Sequence, residues 1–120
     1  MNFFQTPFAP TTHLYAVSNP TYPGLVKIGE TATPKARLKS LSNPFLEPFT
    51  AIYITTPLPF GQQWEKATHA TLDAIRVHPK REYFHMTDAD ALALLKRVEL
   101  LALAWPSDQP VPKIVPTPPF

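Results

Sequence analysis

Cysteine is absent from this 120-residue chain. That excludes disulfide frameworks and thiolate zinc sites, and leaves histidine and carboxylate as the strong metal ligands. The four histidines, His13, His69, His78 and His85, match no closed zinc spacing. Long apolar runs are missing too: nothing approaches the roughly 20 residues of a spanning helix. The opening MNFFQTPFAPTT has no basic region leading into an apolar one. The chain therefore reads as a cytoplasmic protein without membrane contact. A large charge of either sign is lacking, since the formal net charge is +2, which permits an anionic partner without requiring one. Internal repeats, helix-turn-helix patterns and zinc-finger patterns are not seen, so no element reads base sequence.

What the chain has in quantity is proline. Six of its 16 prolines, Pro106, Pro110, Pro112, Pro116, Pro118 and Pro119, fall in residues 106–120. A regular helix is excluded there, and extended polyproline II geometry is favoured. The length fits one core, divided as an N-terminal extension over 1–12, a folded domain over 13–105 and a proline-rich tail over 106–120. The tail reads as a surface strap or frayed end whose removal costs little stability. A docking peptide for a partner is the alternative.

Within the domain, HLYAVS (13–18) and LVKIGE (25–30) alternate partly between apolar and polar residues across NPTYPG, whose prolines and glycine favour a turn. They predict an antiparallel hairpin. Thr33 and Pro34 form an N-cap and first-turn pair for a short helix ending near Asn43-Pro44. FTAIYITT (49–56) predicts a third strand. Residues 61–76 have helical periodicity, with Trp64, Ala67, Thr68, Leu72 and Ile75 on one side and Glu65, His69, Asp73 and Arg76 on another. REYFHM predicts a short strand or extended segment in which Tyr83 and Phe84 are core residues in preference to base-stacking platforms. Thr87 and Asp90 then imitate a capping box before an apolar helix that covers one face of the sheet.

HLY at 13–15, KIG at 27–29, Arg37 eight residues beyond Gly29 and a helix bearing Glu65 resemble the GIY-YIG endonuclease superfamily. LVKIGET followed by RL, with EKATHATL and REYF, resembles more narrowly a phage and bacterial branch whose second motif is KIG. The resemblance runs from about residue 13 to residue 97. It implies an α+β fold, a small three-stranded antiparallel sheet flanked by helices. It also implies hydrolysis of phosphodiester bonds in nucleic acid, DNA in preference to RNA, assisted by Mg²⁺ or Mn²⁺.

Such chemistry needs an activated water, a positive group for the growing phosphoryl charge, and help for the leaving oxygen. The residues implied are Tyr15, Lys27, Arg37, Glu65 and His69. Arg37 offers a planar fork for a phosphate. Glu65 is the metal ligand, because a carboxylate suits a hard cation. His69, one helical turn on, is placed to meet Glu65, a metal-bound water or a phosphate. Tyr15 is the candidate to orient or deprotonate water, with Lys27 as the neighbouring cation that lets a phenol do so. Glu82 is a weaker second ligand, or an ion-pair partner of Lys80 or Arg81. Gly29 serves a close approach or ends its strand. Two positions depart from the superfamily pattern: Lys27 replaces a tyrosine, and His13 replaces a glycine. The first puts the general base in doubt and opens an alternative, a fold that has lost catalysis and only binds nucleic acid.

Overall fold

The computed structural model describes residues 11–41, 48–78 and 82–116. Strand β1 (Thr11–Ser18) turns through Asn19 to Gly24 into β2 (Leu25–Thr31). The Asn19 side chain accepts from the Thr21 amide at 2.8 Å, its carbonyl accepts from Tyr22 at 2.9 Å, and Gly24 takes φ +79°. That left-handed residue is why the turn ends on glycine. Helix α1 (Pro34–Leu41) follows, its first bond running from Arg37 N–H to the Thr33 carbonyl. The expected end of this helix near Asn43-Pro44 lies outside the described residues.

Strand β3 (Thr50–Ile54) pairs with β1, and the two-residue β4 (Leu58–Pro59) pairs with the start of β1. Helix α2 (Gly61–Thr71) runs into a 3-10 turn (Asp73–Ile75), after which β5 (Tyr83–His85) pairs with β2. Helix α3 (Asp88–Ala104) closes the domain, and the Thr87 hydroxyl accepts from the Asp90 amide as the sequence predicts. The sheet is antiparallel in the order β3-β1-β2-β5, with β4 also beside β1. The α+β class stands, but the sheet is wider than the three strands expected. REYFHM, read as a short strand or extended segment, pairs as β5, and β4, two residues long, is too short to show alternation.

The core lies on one face of this sheet. Leu14, Ala16, Val26, Ile28 and Phe84 meet Trp64 and Ala67 of α2 and Ala91, Leu95, Val98 and Ala102 of α3. Tyr15, Val17, Leu25, Lys27 and Tyr83 project to the other face, as the pairings Val17↔Lys27 and Lys27↔Tyr83 require. So Phe84 is core as expected, whereas Tyr83 is not. Among the described residues no helix is long and apolar enough to cross a membrane.

The C-terminal segment overturns its expected indifference to stability. Val115 is 2% exposed and joins the core cluster. Its amide donates to the Thr71 hydroxyl at 2.8 Å, and Arg97 donates from Nε and Nη2 to the Pro116 carbonyl at 3.0 and 2.9 Å. Trp105 Nε1 donates to the Pro110 carbonyl, and the Trp105 ring stands edge-on to Trp64. Isolated anchors of this kind leave no periodic signature. Truncation after Pro106 is expected to lower Tm by several degrees or more. Val115→Ala alone is expected to cost about 2 kcal/mol. Thermal unfolding followed by circular dichroism checks both, and an unchanged Tm on truncation would return the segment to a frayed end.

Candidate functional site

Tyr15 and Gly29 are cross-strand partners on β1 and β2. A Cβ built on Gly29 would stand 2.5 Å from the Tyr15 hydroxyl and 2.6 Å from Cζ, so the ring occupies the place of a side chain. Gly29 therefore serves close approach and does not end its strand, which continues to Thr31. The Tyr15 hydroxyl is buried with no hydrogen-bond partner among the described residues. Leaving such a group unsatisfied costs about 1–3 kcal/mol.

The second feature is an open stretch of sheet edge. Strand β5 pairs only with Leu25, Val26 and Lys27, and the Glu82 carbonyl accepts from the Ile28 amide at 3.0 Å. Beyond that point, among the described residues, no strand lies beside the β2 edge, and α2 takes its place. His69 Nε2 donates to the Ile28 carbonyl at 2.8 Å, and the Glu65 carboxyl comes near enough to the Glu30 amide for that amide to favour its charged form. The i, i+4 spacing of Glu65 and His69 thus matches the i, i+2 spacing of edge groups on β2. Helix α2 is held close at its start as well, where Gly61 abuts the Thr12 hydroxyl with no space for a side chain.

Lys27 links the two features. Its ammonium is 3.0 Å from Glu82 Oε1 and 5.3 Å from the centre of the Tyr83 ring. Glu82 therefore pairs with Lys27, whereas Lys80 and Arg81, the partners expected, lie outside the described residues. Helix α1 buries no residue and presents Lys35, Arg37 and Lys39 to solvent. Arg37 still comes near enough to Tyr15 to favour the phenolate, without closing a hydrogen bond of ordinary geometry.

A family model, the T5orf172 domain, matches residues 12–99, well over half of the chain. The chain belongs to the T5orf172 domain family. This phage-associated domain is related to GIY-YIG and homing-endonuclease-like folds, and the α+β architecture is compatible with that relation. The family suggests a nucleic-acid-related module. No curated protein and no solved structure matches the chain.

In this T5orf172 domain the residues singled out from sequence occupy one region, in different states. Burial raises the Tyr15 pKa above its ordinary value of 10.0, with Lys27 and Arg37 opposing and Glu82 adding to the rise, so the phenol keeps its proton in neutral solution. Burial, then the charges of Glu82 and Glu30, pushes the Glu65 carboxyl up to about 7, against the pull of Lys27 and the Glu30 amide. Burial lowers His69, whose second nitrogen, Nδ1, faces Arg76 Nη2 at 3.4 Å. Both ring nitrogens are thus engaged away from Glu65, and the expected contact between the two is replaced by their shared hold on β2. Arg76 joins the cluster from the helix face that the periodicity already gives to Glu65, His69 and Asp73. Glu30 is not among the candidates from sequence, and its signal is the alternation of β2, which puts residue 30 on the same edge as residue 28. His13 stands apart, with Nδ1 at 2.7 Å from the Thr55 carbonyl.

Among the described residues no group of three or more His, Asp or Glu side chains converges as a metal cage. A lone carboxylate with waters is nevertheless a known magnesium arrangement. Glu65 is the carboxylate that fits it, with Glu82 and Glu30 adding negative charge around it and Lys27 opposing them.

The Glu65 shift has a definite sign. Between about pH 4.5 and 7 the unfolded chain has released this proton and the folded chain retains it, so stability falls as pH rises through that window. Glu65→Gln is expected to match the native protein near pH 4 and to be the more stable of the two at pH 8. Urea unfolding at several pH values measures the difference, and parallel profiles would refute the raised pKa. Gly29→Ala is expected to cost about 1–3 kcal/mol by displacing the Tyr15 ring, measurable in the same way.

Proposed function

We propose that the domain is a divalent-metal-dependent endonuclease hydrolysing phosphodiester bonds in DNA, with Arg37 on the phosphate and Glu65 on the metal. The observation that supports it best is the Glu65 carboxyl, held half-buried near Glu82 and Glu30 with the Lys27 ammonium opposing them. Such a group is costly for stability alone and useful where a cation is recruited. Glu65 is the residue that would hold Mg²⁺ or Mn²⁺, and Glu82 stands near it as the weaker candidate. When bound, the ion supplies charge stabilisation at the phosphoryl oxygens and a more acidic water.

The chain's own groups do the positioning. Arg37 grips the phosphate through its two-pronged guanidinium, and its exposure on α1 leaves that fork open to a backbone. Tyr15, protonated and lodged against Gly29, holds an oxygen beneath Arg37 that orients the guanidinium once a phosphate fixes it. His69 stays neutral and keeps α2 seated, so Glu65 does not drift from β2.

One observation favours a second reading, a domain that binds nucleic acid without cutting it. Lys27 replaces the tyrosine of the resembled motif, and its ammonium is engaged by Glu82. The two readings part in a plasmid assay. Under the first, nicking needs Mg²⁺ or Mn²⁺ and stops in EDTA. Glu65→Gln then removes turnover while DNA binding persists. Arg37→Lys loses on the order of a hundredfold in single-turnover rate, because the charge remains but the fork does not. Lys35→Ala and Lys39→Ala only weaken binding, in a salt-dependent way. Retarded DNA with an intact plasmid under every divalent condition would establish the binding domain instead.

A further inference from the structure

The far face of the sheet carries a groove that the cluster above does not use. A cavity of about 360 Å³ is lined by Tyr22, Leu25, Val77 and Tyr83. Tyr22, from the β1–β2 turn, stands edge-on to Tyr83, their ring centres 6.5 Å apart. Val77 is brought alongside by a bond from its amide to the Tyr83 carbonyl at 2.9 Å. Tyr22 and Val77 remain 39% and 45% exposed. Four apolar or aromatic groups thus surround an open slot at the end of the sheet where β2 begins.

The position of the slot identifies its occupant. Lys27 lies two residues along β2 from Leu25, on the same face, with its ammonium over the Tyr83 ring, and its charge reaches Tyr15. The slot therefore adjoins the cationic side of the phosphate cluster. A ligand that suits the slot and the cluster together has a flat, largely apolar part joined at short range to an anion. A nucleotide in a single strand has that form, since each unstacked base hangs from its own phosphate. In a duplex the bases are stacked inward, and only backbone would face the slot.

We propose that the Tyr22–Leu25–Val77–Tyr83 groove is a stacking site for one unpaired base whose phosphate lies toward Lys27, so that the domain prefers single-stranded or locally opened DNA to intact duplex. This rests on the nucleic-acid reading above and adds the substrate's state to it. The groove reads no sequence, because a π-face is common to all bases, and Tyr22 offers its ring with the hydroxyl free to stay in water.

The test uses the full chain, a fluorescent single-stranded DNA oligonucleotide and the same oligonucleotide annealed to its complement, titrated in EDTA so that no cutting intervenes. The single strand is expected to bind more tightly than the duplex. Tyr22→Ala, a change at an exposed turn residue, is expected to weaken single-strand binding roughly fivefold or more and to leave duplex binding unchanged. Tyr22→Phe keeps the ring and is expected to bind as the native protein does. A 2-aminopurine in the oligonucleotide should be quenched by the native protein and by Tyr22→Phe, and less by Tyr22→Ala. Duplex binding equal to or tighter than single-strand binding, or Tyr22→Ala binding both as the native protein does, would overturn the groove while leaving the nuclease reading intact. Failure of the native protein to bind either DNA would overturn the two together.

Discussion

The stretch of β2 edge that β5 leaves uncovered is the constraint on which the rest of the site depends. A buried strand edge cannot keep unpaired amides and carbonyls, and this one is completed from the side by a helix. His69 takes the Ile28 carbonyl, and the Glu65 carboxyl comes up to the Glu30 amide. A carboxyl is thereby carried to a place where burial and two other carboxylates oppose its ionisation. The same contact seats α2 on the core through Trp64 and Ala67. Structural need and chemical potential thus meet in one side chain.

Around that edge the charges are arranged by strand alternation. Lys27 falls on the face opposite the core, over Tyr83 and against Glu82. Arg37 arrives from α1, which buries no residue and is free to turn a cation outward. Tyr15 lies between these groups because Gly29 leaves a ring-sized space across the strand pair. A guanidinium and an ammonium therefore flank a protonated phenol, with carboxyls at the neighbouring edge. Phosphate handling suits that division of sign.

Several expectations from sequence meet the structure closely and others do not. The hairpin, the Thr87 cap, the position of Arg37 in α1 and the apolar stripe of α3 rest on local rules, and they stand. Tyr83 and the C-terminal segment depend on what lies across space. Alternation alone could not say which face of β5 meets the helices, so Phe84 and Tyr83 looked alike. Proline content correctly excluded a helix after Trp105, but it carried no information about where Val115 would lodge.

By itself the sequence determined the element types, the turn chemistry and the set of ionisable groups, because propensity, capping and side-chain inventory act over a few neighbouring residues. It also supplied the motif spacing that puts Tyr15, Lys27, Arg37 and Glu65 among the candidates. Tertiary structure alone decided their states. Burial raised Glu65 and Tyr15 and lowered His69, Glu82 was assigned to Lys27, and Tyr22 was carried beside Tyr83. Those outcomes depend on desolvation and on distances between residues far apart in the chain, which no local pattern encodes.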